Sequence, residues 1–347
     1  MPDHSSARHA LLSIDMLKST LRKVILHTPL KYPTRWLLKK IRTPQGAVAH
    51  SVVDRLTSFN PQTFRSFDLP SGMTEDSLRD VMLSFRIDDG NRGDLDPYVH
   101  DALFRFIHSW SLVKDEKGKC LEMGANPYFI SWLLRQHTGM EITLANYFGG
   151  NEGKLTQTLK WDQDGKSHVE ELECDHFNME ESRFPYEDNT FDVVLYCEII
   201  EHLLMNPVHT LREIHRVLKP NGKLVVTTPN VARLGNVFAM VDGRSIYDPY
   251  SGYGVYGRHN REYSMHELIH LLKFCGFNEE NFFTADAHRE DHSQHPKFNE
   301  ILPLIEFRQN DLGQYLFAAV RATGSPQSGF PASLYRSYKP HEMNNDW

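Results

Sequence analysis

The sequence lacks a run of about 20 apolar residues, the length that an α-helix needs to cross a bilayer. It also lacks a secretory signal pattern near residue 1. Cysteine is scarce: the 347 residues include 4, and no two of them form a Cys-x-x-Cys pair. We therefore expect the cysteines to be small core residues in a reducing compartment. These absences argue against a spanning helix and a disulfide framework, and they favour a cytoplasmic protein.

An excess of positive charge is also absent, since 38 Lys and Arg stand against 45 Asp and Glu, for a net charge of −7. This balance argues against a broad nucleic-acid-binding surface. Residues 17–42 are an exception, because they combine basic and apolar residues, include Trp36 and contain no acid. Such a segment is typical of a peripheral contact with the inner face of a membrane. Pro29 and Pro33 interrupt it, however, and favour a helical arm packed on its own domain.

What is present is the composition of an ordinary soluble globular protein, with 40% hydrophobic and 24% charged residues. The length allows two domains or one large α/β domain with additions. We interpret residues 1–117 as a helical N-terminal extension and residues 118–322 as an α/β domain. Residues 323–347 are rich in Ser, Pro and Asn, which predicts a loose C-terminal tail.

From residue 119 onward, strand-like and helix-like segments alternate. Repeated βα units predict a doubly wound sheet with ligands in the crevice at the carboxyl ends of its strands. Local signals mark the turns: Asp164-Gly165 predicts a hairpin, Asn206-Pro207 a helix start, and Ser264 with Glu267 a capping box. Asp96-Pro97 predicts the start of an earlier helix.

The motifs follow one another in a recognisable order. Glu122-Met-Gly124 lies at the first strand-to-helix crossing, and Glu198-Ile-Ile-Glu201-His202 follows the apolar strand at residues 191–197. Thr227-Thr-Pro-Asn230 ends a later strand. Over residues 118–322 this order and spacing resemble class I S-adenosylmethionine-dependent methyltransferases. A Tyr-rich stretch further on resembles a subgroup associated with bacterial surface-polysaccharide gene clusters.

The resemblance implies a Rossmann-like, mostly parallel seven-stranded sheet that binds S-adenosylmethionine. The turn formed by Glu122, Gly124, Ala125 and Asn126 is expected to hold the methionine portion, with Cys197 at the neighbouring strand end. Asn146 is expected to contact the ribose. The adenine is expected to contact Asn178 and Met179 in one alignment of the family motif, or Asp175 in another. Two positions depart from the family: Asn126-Pro127 replaces a second glycine, and Asn146 stands where an acid is usual.

Glu198, Glu201 and His202 are the candidates for chemistry. If a helix begins at the strand end, positions i, i+3 and i+4 face the crevice together. That face suits a general base or a divalent cation, Mg or Mn, that lowers the pKa of a hydroxyl. A similar Glu-x-x-Glu-His set binds metal in small-RNA 2′-O-methyltransferases, and His259 occupies the place of their further His. Many family members carry Glu-His here without metal, so both roles stay open.

Residues 231–262 form an insertion in which Tyr and Gly alternate around Tyr247, Tyr250, Tyr253 and Tyr256. Such a loop suits stacking on a sugar ring while Arg258 or Arg261 pairs with a phosphate or carboxylate; an interface or a self-packed loop is the alternative. We predict O-methylation of a hydroxyl on a glycan or glycan-linked metabolite. RNA 2′-O-methylation and a catalytically inactive scaffold are the alternatives. The sequence carries no signal for an oligomeric state.

Overall fold

The computed structural model describes residues 65–88 and 92–344. The basic segment at residues 17–42 lies outside these ranges, and so does most of the predicted N-terminal extension. Within the described ranges, the helices are all too short or too polar to pass through a bilayer.

One sheet of nine strands organises the described chain. The strands are β1 Arg86–Ile87, β2 Lys119–Met123, β3 Glu141–Asn146, β4 Gly153–Gln163, β5 Lys166–His176, β6 Phe191–Cys197, β7 Leu218–Pro229, β8 Phe277–Ala285 and β9 Tyr315–Ala322. Their order across the sheet is β1-β4-β5-β3-β2-β6-β7-β9-β8. The central run from β5 to β7 is parallel, whereas β1, β4, β9 and β8 pair antiparallel.

The α/β Rossmann-like class is therefore correct, but the expectation of a mostly parallel seven-stranded sheet is wrong. The sheet is mixed because β4 extends it antiparallel beyond β5 at one edge, and β9 and β8 pair antiparallel at the other. Asp164 and Gly165 both adopt positive φ, as a two-residue hairpin turn requires, and they fold β4 back along β5. Arg86 and Ile87 then pair with β4 and add a further short strand.

Seven α-helices accompany the sheet in the described ranges: α1 Glu75–Leu83, α2 Arg92–Ser111, α3 Phe129–His137, α4 Pro207–Val217, α5 Leu234–Val241, α6 Met265–Phe274 and α7 Phe298–Ile301. The predicted helix starts at Asn206 and Ser264 are confirmed: each side chain accepts a hydrogen bond from a backbone N–H of the first turn. Helix α2 begins at Arg92 rather than at Asp96, and Pro97 lies inside it.

The helices cover both faces of the sheet. Apolar residues of α1, α2 and α3 form one buried cluster with one face, and those of α4 and α6 form a second cluster with the other face. Successive side chains of β2 point to opposite faces of the sheet, so Cys120 belongs to the first cluster and Leu121 to the second. Helices α1 and α2, which the sequence assigns to an extension, thus contribute to the core of the sheet domain.

The C-terminal segment is packed as far as the structure describes it, unlike the loose tail that its composition predicts. A short parallel pair forms from Phe330–Pro331 and Met343–Asn344. The guanidinium of Arg212 donates to the backbone carbonyls of Gln327 and Gly329. Apolar side chains of this segment pack against the cluster of α4 and α6, which supplies the burial that composition alone does not reveal.

Candidate active site

The turn after β2 begins at Gly124, which has φ +67°. Its backbone N–H donates to the carbonyl of Ala145 at 2.8 Å, which ties the turn to β3. A Cβ at this position would lie 2.8 Å from Cδ1 of Ile199. Positive φ and this close contact together account for glycine here.

The next part of the turn is braced by the end of β3. The backbone N–H of Asn126 donates to Oδ1 of Asn146 at 3.0 Å, and Nδ2 of Asn146 lies 3.4 Å from the hydroxyl of Tyr128. Asn146 is only 2% exposed. The residue implied at the ribose is thus buried in the turn rather than facing the crevice.

A cleft of about 140 Å³ opens above this turn. Its walls are Gly124, Tyr147, Asn178, Met179, Glu180, Glu198, Ile199, His202, Leu203 and Tyr256. The cleft brings Gly124 together with His202 and with Asn178 and Met179, the adenine pair of one alignment. Asp175, the alternative, instead accepts a hydrogen bond from Tyr186 at 2.8 Å and pairs with Lys154 at 3.2 Å.

Sequence reasoning missed Tyr147 and Glu180 in this cleft, and it named Tyr256 only as part of the insertion. Tyr147 directly follows the end of β3, which was a signal available in the sequence. Its ring meets that of Tyr256 edge-on at 6.0 Å between centroids. The Tyr256 hydroxyl donates to Glu180 at 3.3 Å, so the Tyr-rich insertion closes one side of the cleft.

A smaller cavity of about 30 Å³ lies on the other side of Gly124, with Ala125 and Cys197 in its walls. Glu122 contributes its carboxyl, which is 4% exposed and whose Oε2 has no partner among the described residues. Burial raises the pKa of Glu122 to about 8, although Ser131 and Arg135 lower it.

The small cavity also holds Arg105 of α2, which the sequence analysis missed because it lies far from every family motif. Its side chain is 2% exposed, and Nε has no partner among the described residues. Nη1 lies 3.4 Å from Oε2 of Glu198. A buried cation and a buried carboxyl with one unpartnered oxygen therefore line the same cavity.

Glu198 does not stand beside Glu201 and His202 as the helical spacing predicts. Its φ is +55°, and only a single 3₁₀ turn, Ile200–His202, follows. Its Oε1 accepts from the hydroxyl of Thr227 at 2.9 Å. The expectation of a shared helical face is wrong here, because the left-handed residue turns the Glu198 side chain toward Arg105.

Glu201, His202 and His259 do converge, with one ligand-type atom of each within 4.8 Å of the others. Glu201 is fully buried; its Oε2 accepts from Thr228 at 2.8 Å, while Oε1 lies 4.0 Å from Nε2 of His202 and has no hydrogen-bond partner in the described chain. Burial raises the pKa of Glu201 against the lowering effect of the two imidazoles.

The imidazoles of His202 and His259 are each oriented by a hydrogen-bonding partner at Nδ1. Nδ1 of His202 donates to the carbonyl of Arg258 at 2.9 Å, and Nδ1 of His259 lies 3.1 Å from Oε1 of Glu262. Burial lowers the pKa of His259, but Glu262 and Glu201 outweigh it and leave the pKa raised. Hydrogen bonds of this kind fix the tautomer and aim Nε2, as in metal-binding histidines.

The backbone of the insertion is hydrogen-bonded to the turn Ile200–His202. The N–H groups of Asn260 and Arg261 both donate to the carbonyl of Glu201, at 2.7 and 3.0 Å. The side-chain amide of Asn260 donates to the carbonyl of His202 at 2.8 Å. These bonds bring His259 to Glu201 across a long stretch of sequence.

Known proteins resemble this chain over part of its length. Residues 133–226 match the family described as Methyltransferase domain. A protein of Mycolicibacterium smegmatis described as a probable S-adenosylmethionine-dependent methyltransferase is 30% identical over 127 residues, 35% of this chain and 43% of that protein. An uncharacterised protein of Methanocaldococcus jannaschii is 48% identical over 46 residues, 13% of this chain and 20% of its own.

The chain thus covers less than half the length of these curated relatives. Among solved structures, an S-adenosylmethionine-dependent methyltransferase of Archaeoglobus fulgidus is similar with a TM-score of 0.38 and 14% identity, over 63% of this chain and 90% of that one. The matched family and the mycobacterial relative are both described as methyltransferases.

Proposed function

We propose that the protein is an S-adenosylmethionine-dependent methyltransferase. The observation that carries the proposal is the pair of hollows on either side of Gly124. The larger offers Tyr147, Asn178 and Met179 to an adenosyl group. The smaller offers Arg105 and Glu122 to an amino acid, whose carboxylate and ammonium suit a cation and an acid.

When bound, the cofactor supplies a sulfonium methyl group that transfers in line to a nucleophile. The chain then has to hold the acceptor atom in line and remove its proton. His202 lines the cleft beside Gly124, and its aimed Nε2 makes it the candidate base. The carbonyl of Arg258 orients the imidazole through Nδ1, and the carboxyl of Glu201, 4.0 Å from Nε2, stabilises its protonated form.

A divalent cation is a second role for the same trio. The supporting observation is the buried Oε1 of Glu201, which has no hydrogen-bond partner and lies near two imidazoles whose other nitrogens are engaged. One carboxylate and two imidazoles suit a transition-metal ion such as Mn²⁺ better than Mg²⁺, which prefers oxygen ligands. Such an ion would lower the pKa of an acceptor hydroxyl. Glu198 takes no part, because it faces Arg105.

For the acceptor we propose a hydroxyl of a glycan or glycan-linked metabolite. Tyr247, Tyr250 and Tyr253 are 85%, 94% and 83% exposed and belong to the same insertion as Tyr256, which lines the cleft. Exposed aromatic rings suit stacking on a sugar. Arg258 lies 4.9 Å over the ring of Tyr250. Arg261 pairs with Glu267 at 2.6 Å, which leaves Arg258 as the better partner for an acidic group.

The test of cofactor binding is isothermal calorimetry with S-adenosylhomocysteine, the demethylated product. We expect saturable one-to-one binding at micromolar concentrations. The absence of heat, together with an unchanged melting temperature at millimolar ligand, would overturn the proposal and leave a scaffold without cofactor.

A further inference from the structure

Arg105 occupies an unusual environment for a cation. Its guanidinium lies 5.4 Å from the ring of Tyr98, 5.1 Å from that of Phe106 and 5.3 Å from that of Tyr315. The Tyr98 hydroxyl accepts one hydrogen bond from it. A buried guanidinium enclosed in this way requires a carboxylate partner, because an uncompensated buried charge is strongly destabilising.

The partner in this structure is Glu198, and the pairing is imperfect. The Nη1–Oε2 distance of 3.4 Å exceeds the usual 2.7–2.9 Å of a charge-assisted hydrogen bond. Glu198 reaches this position only with φ +55°, a conformation that non-glycine residues rarely adopt. Nε of Arg105 remains without a partner in the described chain. The guanidinium can therefore donate a further hydrogen bond to a carboxylate that lies closer than Glu198.

The space beside Arg105 is too small for an amino-acid head group as it stands. The cavity of about 30 Å³ is room for one or two water molecules. Ile199, the neighbour of Glu198, lies against Gly124, where the small cavity and the cleft adjoin. Glu198 and Ile199 therefore both stand where a ligand extending through the two hollows would pass.

We propose that Glu198 is a replaceable counter-ion that yields Arg105 to the α-carboxylate of the cofactor. The inference rests on the proposed function and adds an exchange of partners to it. The incoming carboxylate takes the guanidinium, Glu198 leaves, and Ile199 moves with it away from Gly124. Because His202 belongs to the same turn, occupancy of the amino-acid site also sets the position of the catalytic imidazole.

The experiment compares two ligands by calorimetry in the full chain: S-adenosylhomocysteine, and 5′-methylthioadenosine, which lacks the amino-acid head. Arg105→Met should weaken S-adenosylhomocysteine binding about 10- to 100-fold, the loss of one charge-assisted pair. Binding of 5′-methylthioadenosine should stay within about twofold, which also shows that the variant is folded. Equal losses for both ligands would contradict a role at the carboxylate.

Glu198→Gln gives the sharper test, because exchange predicts a gain. Without its charged competitor, Arg105 should bind S-adenosylhomocysteine several-fold more tightly, with 5′-methylthioadenosine unchanged. Glu181→Gln, an exposed acid near the cleft, controls for the loss of one negative charge. Weaker or unchanged S-adenosylhomocysteine binding by Glu198→Gln would overturn the inference while the proposed function stood. If the wild-type protein bound neither ligand, both the inference and the proposed function would be refuted.

Discussion

The side-chain oxygen of Asn146 accepts a hydrogen bond from the backbone N–H of Asn126 at 3.0 Å. These are the two positions at which the chain departs from the family pattern, and they are in contact. The amide at the end of β3 braces a turn that has asparagine and proline where a glycine is usual. The two departures are therefore in direct contact, and the hydrogen bond engages the Asn146 side chain within the turn.

Restoring the family acid at this place should not improve binding. Asn146→Asp keeps an acceptor for Asn126 but buries a charge and removes the amide near Tyr128. We expect the free energy of unfolding to fall by about 1–3 kcal/mol, measured by urea denaturation, with no gain in S-adenosylhomocysteine affinity. A tighter complex would show instead that residue 146 reaches the ribose.

Glu122 should make the ligand-free fold less stable as pH rises. Its pKa is about 8 in the folded chain, above the ordinary 4.5, so between these values the folded chain holds a proton that the unfolded chain releases. Stability should fall by up to about 1.4 kcal/mol per pH unit across this window, relative to Glu122→Gln. Urea unfolding of both proteins at pH 5.5 and 7.5 measures the difference, and parallel trends in the two proteins would refute it.

The same carboxyl should make binding of the amino-acid head pH-dependent. An ammonium group favours ionised Glu122, so S-adenosylhomocysteine affinity should rise between pH 6 and 8, by at most about tenfold per unit. The dependence should be absent in Glu122→Gln. For 5′-methylthioadenosine, affinity should stay flat over this range, and a matching rise for both ligands would place the titrating group elsewhere.

The trio of Glu201, His202 and His259 should bind Mn²⁺, with calorimetry as the readout. Glu201→Gln and His259→Ala each remove one ligand and should weaken the affinity more than about tenfold. His292→Ala is the matched control, since that imidazole pairs with Glu290 at 3.3 Å outside the trio. If Mn²⁺ does not bind and chelators leave turnover unchanged, the metal role fails and His202 remains as base.

The exposed tyrosines should affect methyl transfer to the acceptor and should not affect binding of the cofactor. With radiolabelled S-adenosylmethionine, label should enter bacterial polysaccharide, and the double variant Tyr247→Ala, Tyr250→Ala should lower it at least about tenfold. Affinity for S-adenosylhomocysteine should not change. Phe307→Ala, an aromatic that is 83% exposed elsewhere, should have no effect. Label entering RNA rather than polysaccharide would favour the alternative acceptor.

The sequence predicts features that depend on local chemistry. The turn residues at Asp164-Gly165 and the caps at Asn206 and Ser264 follow from residues close together in the chain. The nine-stranded extent of the sheet does not, because β1 joins it by pairing two residues with a distant hairpin. No local signal specifies that contact.

The candidate site divides in the same way. Gly124, Asn178, Met179 and His202 come together through motifs that the sequence displays. Arg105 stays hidden, since its role arises only when α2 packs over the end of β2. The sequence predicts the wrong position for Glu198 for a related reason. Helical spacing assumes a regular helical backbone, whereas Glu198 has a left-handed backbone conformation, which turns its side chain in another direction.

The backbone bonds from Asn260 and Arg261 to Glu201 have a consequence for redesign. They join the C-terminal part of the insertion to the turn that carries Glu201 and His202. Grafting another loop to alter acceptor preference would have to preserve residues 258–262, which deliver His259. It would also have to preserve Asp248 and Val255, whose oxygens accept hydrogen bonds from the backbone N–H of His259 and the side-chain amide of Asn260. The exposed side chains of Tyr247, Tyr250 and Tyr253 remain open to exchange. New selectivity can thus be sought in this chain without rebuilding its chemistry.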